Sequence, residues 1–546
     1  MKKAGIFLTG LVLAALVSCT SAPDMSQAVK AETGAITGKY ADGVTSYRGI
    51  PYAEPPVGDL RWKAPVPKAK WEGTLNATRF GPACIQPRPR TGSIYANPPD
   101  EISEDCLTLN IWKKDGVKKA PVFLWIHGGS LTGGQGAEPI YDGARMAQKD
   151  VVVVTINYRL GVLGYLAHPE LSAESPDGIS GNYGLLDQIE ALRWVKQNIA
   201  AFGGDPENIT IAGESAGALS VMYLMASPEA KGLFHKAILQ SAYMVTMPEL
   251  KAAKHGQFAA EDIGVWVASQ VKAASLAELR AKGGEELSAA AAAAGYFPLA
   301  TVDGKVLTRQ LVDTFDRGEQ AAVPVIAGFN SGEIRSLRFL APPVPKSAAE
   351  YEAKIRELHG DLADEFLRLY PSSDLKEAVL AAPRDSLYGW TATRLVKKQQ
   401  EIGEAGYLYY FDHTYPAASA MDLHGFHGAE LPYIFGTLQL TPTYWPEIPA
   451  TKTVQKLSTH LMDFWTEFAR TGKPSSPDAP EWRSFGEAQY YLDIQSGLTS
   501  AVRLMPGMYE LHERTMCRRR EDGTQSWNWN TGIVAPVLPP ASEACP

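Results

Sequence analysis

The chain has 546 residues, of which 45% are hydrophobic and 21% charged, the balance of a folded globular protein with a sizeable core. A formal net charge of -8 at pH 7 and a pI near 5.8 argue against a nucleic-acid partner, which needs a basic face to neutralise phosphates. The length allows more than one domain, although large single α/β domains exist.

The first element is a leader. Lys2 and Lys3 form a short positive region, and residues 4–17 form an apolar run too short to span a bilayer comfortably. The run ends Leu16-Val17-Ser18-Cys19, which resembles the bacterial lipobox, whose cysteine is lipidated and becomes the new N-terminus. Residues 1–18 are therefore expected to be a lipoprotein-type signal peptide, Cys19 the lipidation site, and residues 19–35 a small, polar tether. The expected location is the bacterial cell envelope, facing the periplasm, with the membrane touched only through the N-terminal lipid. An ordinary cleaved signal with a chance cysteine is the competing reading, and it makes the protein soluble in the periplasm or secreted.

The five cysteines fit an exported protein. With Cys19 set aside, Cys84, Cys106, Cys517 and Cys545 allow three pairings. Proximity in sequence favours the local loops, Cys84 with Cys106 and Cys517 with Cys545, against free buried thiols. No Cys-x-x-Cys or Cys/His cluster has ligand spacing, so no metal is expected.

Downstream, short apolar runs read as buried parallel strands: Pro121 to Ile126, Val151 to Ile156, Asn208 to Ala212 and Val323 to Ala327. Between them, Asp187 to Asn198 gathers Ile189, Leu192, Trp194 and Val195 towards one side of a helix. This alternation predicts an α/β fold around a mostly parallel sheet. The alanine run 289–294 reads as a helix surface or loop. The proline-rich stretches 51–56 and 342–345 read as loops, and Asp303 as a turn residue. Nothing marks a boundary after residue 35, so residues 36–546 are expected to form a single domain.

Two glycine-rich turns follow predicted strands. Gly213-Glu214-Ser215-Ala216-Gly217 sits between the strand Asn208–Ala212 and a helical run, Ala218 to Met225. A nucleophile elbow needs that context: a tight strand-to-helix turn that lifts the serine hydroxyl clear of the sheet. The helix start directs free N–H groups, that of Ala216 first, at a developing negative charge. A bare Gly-x-Ser-x-Gly is a weak signal, but strand, motif and helix coincide here. The second turn, His127-Gly128-Gly129-Ser130, leaves backbone N–H groups room to crowd an incoming carbonyl oxygen. Alone it reads equally well as a simple glycine turn.

With these residues in view, the chain resembles the type-B carboxylesterases, the family of bacterial para-nitrobenzyl esterases, liver carboxylesterases and cholinesterases. The resemblance runs from Gly49-Ile50-Pro51-Tyr52-Ala53 to Phe468-Ala469-Arg470-Thr471-Gly472. Its most specific motifs are Phe202-Gly203-Gly204-Asp205-Pro206-Glu207-Asn208 leading into the serine motif, and Glu104-Asp105-Cys106-Leu107-Thr108-Leu109-Asn110. The second implies that Cys106 pairs with the upstream Cys84. Ala327-Gly328-Phe329-Asn330-Ser331-Gly332-Glu333 is similar to the family's acid motif, and Gly425-Phe426-His427-Gly428-Ala429-Glu430-Leu431 to its histidine motif. The resemblance implies an α/β-hydrolase fold and a serine esterase with Ser215 as nucleophile, His427 as base and Glu333 as the orienting acid. Its oxyanion hole would comprise Gly128, Gly129, Ser130 and Ala216. The expected partners are an ester and water, with no cofactor. His424, three residues before His427, is the nearest competitor for the base.

Two positions depart from the family pattern: Ser130 stands where a third glycine is usual, and Ile334 follows the acid where glycine is usual. Arg335 and Arg338, just beyond, are either solvated or available to a substrate carboxylate. Tyr243, Phe339, Tyr388 and Trp390 are candidates for a pocket wall or for the core. Trp527-Asn528-Trp529, between Cys517 and Cys545, lies outside the family pattern. A non-catalytic binding module and an amidase or carbamate hydrolase are the rival functions; the first is disfavoured because all three reacting residues are present.

Overall fold

A computed structural model describes residues 25–89, 92–527 and 531–546. Cys19, the leader and residues 20–24 of the tether lie outside the described residues, as do Asn528 and Trp529. Eleven strands form one sheet: β1 Lys39–Ala41, β2 Val44–Pro51, β3 Thr108–Lys114, β4 Ala120–Ile126, β5 Val152–Ile156, β6 Gly204–Glu214, β7 Lys236–Gln240, β8 Val325–Asn330, β9 Gly406–Phe411, β10 Tyr490–Ile494 and β11 Leu498–Val502. Their spatial order is β11-β10-β9-β8-β7-β6-β4-β5-β3-β2-β1. The stretch from β5 to β10 is parallel throughout, and antiparallel pairs lie at both edges.

The central strands are apolar because helices cover both faces. Every residue of β4, β5, β7 and β8 is buried. On one face lie the helices Tyr183–Asn198 and Ala216–Ala226, the second buried along its entire length. On the other lies Lys452–Thr471, whose Val454, Leu457, Leu461, Phe464, Trp465 and Phe468 form one buried stripe at helical spacing. Thr451 caps its first turn by accepting from the Val454 N–H at 3.3 Å, and Gly472, with φ 78°, ends it in the left-handed region.

The predicted strands and helices all form, with moved ends. The strand expected over 208–212 runs from Gly204 to Glu214, and the helix expected from Asp187 begins at Tyr183. One boundary needs correction. Val29–Ala31 pairs with Gly34–Thr37, which in turn pairs with Thr74–Asn76, so a tether cannot extend to residue 35. Backbone pairing satisfies the amides of those residues, and Ile36 is buried in the core.

β4 lies between β5 and β6; the connection after β4 runs to β5 on one side, and the connection after β6 runs to β7 on the other. A crevice opens at the carboxyl ends of strands at such a switch point. The turn 127–131 follows β4, and the turn carrying Ser215 follows β6.

Candidate active site

Ser215 joins β6 to the helix Ala216–Ala226 with φ 56° and ψ -124°. That left-handed conformation is strained for a residue with a Cβ, at a cost of about 1–3 kcal/mol. The two motif glycines relieve crowding rather than torsion. A Cβ on Gly213 would lie 2.4 Å from the Gly217 carbonyl carbon, and one on Gly217 would lie 2.1 Å from the Ile126 oxygen. The turn is pinned by the Ser215 N–H, which donates to the Gln240 carbonyl at 2.9 Å. Ser215 is half-buried between fully buried neighbours.

The β4 turn closes against this elbow. A Cβ on Gly128 would lie 2.8 Å from the Glu214 carbonyl oxygen and 3.2 Å from Ser215 Cβ. Gly129, Ser130 and Leu131 all have positive φ, 104°, 57° and 56°. The absent third glycine thus leaves Ser130 in a conformation that glycine would adopt without penalty. Among the described residues, the N–H groups of Gly129, Ser130 and Ala216 donate to no acceptor. His127 lies behind the turn, stacked on Tyr158 with ring centroids 4.5 Å apart, and burial pushes its pKa down to about 4.

His427 reaches the crevice from the long connection after β9. Its Nδ1 is hydrogen-bonded to Glu333 Oε2. The other oxygen of Glu333 accepts from Ser241 Oγ at 2.7 Å and from the Asn330 N–H at 2.8 Å, so this fully buried carboxylate has partners on both oxygens. The His427 backbone is also fixed: its N–H donates to Ser336 Oγ at 3.2 Å, and its carbonyl accepts from the Tyr95 hydroxyl at 2.8 Å.

The second ring nitrogen, Nε2, lies 3.0 Å from Oε1 of Glu214. Among the described residues, no hydrogen bond joins the Ser215 hydroxyl to His427. Sequence reasoning passed over Glu214 as the variable position of the serine motif. The available signal was a carboxylate next to the serine, directly after the buried run Ile209–Gly213. A third acid, Glu430, is buried close by and accepts from Gln240 Nε2 at 2.9 Å and Asn330 Nδ2 at 2.6 Å.

These acids set the protonation of the site. Burial works against the imidazolium, yet Glu214, Glu333 and Glu430 together outweigh it and hold the His427 pKa above its ordinary value. Burial raises Glu214, and the neighbouring carboxylates raise it further against the pull of His427. Glu214 and His427 therefore titrate as a pair.

The other predicted residues sort clearly. Tyr388 lies with its ring 5.5 Å from that of His427, in a π-helical turn, Asp385–Gly389, of the kind that recurs at functional sites. Tyr243 packs edge-on to Tyr388 at 6.0 Å. Trp390 belongs to the core and donates to Glu513 at 2.7 Å, whereas Phe339 is 73% exposed. Arg335 is not solvated: it is buried and paired with Asp422 at 2.7 Å and with Glu377. Those partners satisfy it, which removes it as a receptor for a substrate carboxylate. Arg338 is exposed, 3.8 Å from Asp422. His424 is exposed and 3.8 Å from the Asp422 carboxylate. Asp303 accepts three successive backbone N–H groups, from Lys305, Val306 and Leu307, as a turn residue does. Cys84 is joined to Cys106 and Cys517 to Cys545. Among the described residues, no group of three or more His, Cys, Asp or Glu is arranged to hold a metal ion.

The site can be set beside known proteins. A sequence model described as "Carboxylesterase family" matches residues 25–510. The chain is 39% identical over 468 residues to the fumonisin B1 esterase of Sphingopyxis macrogoltabida, covering 83% of this chain and 84% of that protein. It is 37% identical over 469 residues to the para-nitrobenzyl esterase of Bacillus subtilis (strain 168), covering 84% of this chain and 93% of that one. A solved PNB esterase structure superposes with a TM-score of 0.77 at 32% identity, covering 89% of this chain and 99% of its own.

Proposed function

Since the chain belongs to the carboxylesterase family and is a carboxylic ester hydrolase, we propose that it cleaves its ester with Ser215, His427 and Glu333 through an acyl-enzyme. His427, once deprotonated, takes the Ser215 proton on Nε2 as Oγ attacks the ester carbonyl. Glu333 holds the Nδ1 proton, fixes the tautomer and stabilises the imidazolium that forms. The N–H groups of Gly129, Ser130 and Ala216 receive the oxyanion, and Gly128 gives the turn room to approach the elbow. His427 then protonates the departing alcohol. Water, activated by the same imidazole, hydrolyses the acyl-enzyme and regenerates Ser215.

The observation that carries this reading is the buried Glu333–His427 hydrogen bond beside a strained serine and three N–H groups with no acceptor among the described residues. The aromatic wall of Tyr95, Tyr243 and Tyr388 supports an ester with an apolar portion. Hydrolysis of a series of p-nitrophenyl esters by the wild type and by Ser215→Ala tests it. Loss of at least about 10³-fold in kcat is expected in the variant. Equal rates in both proteins would remove Ser215 from the mechanism.

Location belongs to the same proposal. We infer export to the bacterial cell envelope with an N-terminal lipid on Cys19 and the hydrolase domain facing the periplasm, supported by the charged, apolar and Leu-Val-Ser-Cys order of residues 1–19. Retention in the membrane fraction is the readout.

A further inference from the structure

The chain continues past residue 510, where the family match ends, into the helix Met508–Asp522 and a tail closed by Cys517–Cys545. The tail does not simply cover the surface. Trp527 is among the largest fully buried side chains, and its contacts converge on the segment that follows β7. The indole Nε1 donates to the Met244 carbonyl at 3.3 Å. The Trp527 N–H donates to Thr246 Oγ1 at 3.3 Å, and Ser526 Oγ donates to the same oxygen at 3.0 Å. The His255 N–H donates to the Gly523 carbonyl at 2.8 Å, and the His255 ring meets the indole edge-on at 5.2 Å.

That segment is a wall of the catalytic crevice. Ser241 donates to Glu333, and Tyr243 packs on Tyr388, which packs on His427. Residues 242–247 are buried without exception. On its other side the wall is held by Met244 N–H to Thr391 Oγ1 at 3.0 Å, Met247 N–H to Gln310 Oε1 at 2.9 Å, and Gln310 Nε2 to the Met247 carbonyl at 2.8 Å. The carbonyl of Met244 and the hydroxyl of Thr246, by contrast, are held by the tail. Trp527 is in turn fixed by Arg519, a fully buried residue of the preceding helix, which donates to its carbonyl at 3.0 Å.

We propose that the tail segment Gly523–Trp527, closed by the Cys517–Cys545 disulfide, positions the wall 241–247, and that Trp527 is a positioning residue that sets the size selectivity of the site. The inference rests on the reading of Ser215, His427 and Glu333 as the reacting groups. Trp527 touches none of them; it acts through Met244 and Thr246 on the placement of Tyr243. The tail lies beyond residue 510, where the match to the family model ends.

The test compares kcat/KM for p-nitrophenyl acetate and p-nitrophenyl octanoate, and for acetate esters of a small and a bulky alcohol. The proteins are the wild type, Trp527→Phe, Trp527→Ala and the double variant Cys517→Ser/Cys545→Ser. A fall in folded fraction scales both members of a ratio alike, so only a moved wall changes the ratio. Trp527→Ala is expected to shift at least one ratio about fivefold, the factor carried by one hydrogen bond of ordinary net worth. Trp527→Phe, which keeps the ring and loses the N–H, should shift it less, and the cysteine variant should move it in the same direction. If Trp527→Ala does not fold, Trp527→Phe and the cysteine variant carry the test. Ratios within twofold of wild type in every folded variant would overturn the inference and leave the catalytic reading intact. A wild type inactive on all four esters would overturn both.

Discussion

At the scale of single residues, the site is governed by Glu214 as much as by the three residues proposed to react. Its carboxylate faces Nε2 of His427, the nitrogen proposed to accept the Ser215 proton. A histidine held above its ordinary pKa by Glu214 and Glu333 keeps its proton to higher pH than a free imidazole, so the neutral base becomes available only as pH rises. The ascending limb of kcat/KM should therefore lie above the ordinary histidine range, near 6.5. Removing the Glu214 charge removes a cause that raises His427, so Glu214→Gln should move that limb to lower pH. A pH–rate profile whose limb stayed in place would show that Glu214 does not control the base. Little of this was legible in the sequence: the motif displays a glutamate beside a serine, but nothing in it brings His427 to that carboxylate.

At the scale of elements, the helix Lys452–Thr471 shows how a remote element supports the crevice. Its Trp465 donates to Gln240 Oε1 at 2.9 Å, while Gln240 Nε2 donates to Glu430 and the Gln240 carbonyl accepts from Ser215. A chain of bonds thus runs from the helix to the elbow. Leu461 lies in the buried stripe of the same helix, one turn before Trp465. Leu461→Ala should lower stability by about 2–4 kcal/mol through lost transfer energy and a residual cavity, read as a fall in the urea midpoint. A loss below about 1 kcal/mol would mean that the layer collapses around the gap. The apolar runs predicted these elements because burial on both faces demands continuous hydrophobicity. Their ends moved because pairing with neighbouring strands, not side-chain type, carries β6 through Gly204 and on to Glu214.

At the scale of the whole molecule, the switch point between β4 and β6 gathers turns separated widely in sequence into one crevice. The proposed attachment is a separate matter of the N-terminus. Cys19→Ser, expressed with its leader in a bacterial host that lipidates exported proteins, should pass from the membrane to the soluble fraction with its esterase activity unchanged. Equal membrane retention of both forms would exclude Cys19 as the anchor. The sequence by itself determined the fold class, the serine turn and the glycine turn and, through resemblance, nominated His427 and Glu333, because each rests on local pattern: strand hydrophobicity, turn chemistry and short motifs. Only the tertiary structure decided that Glu214 meets His427, that Arg335 is consumed by Glu377 and Asp422, that the N-terminal strands end the tether early, and that Trp527 packs under the segment 241–247. Those are contacts between distant segments, and a one-dimensional pattern records what a residue prefers to be buried with, not which partner the fold delivers to it.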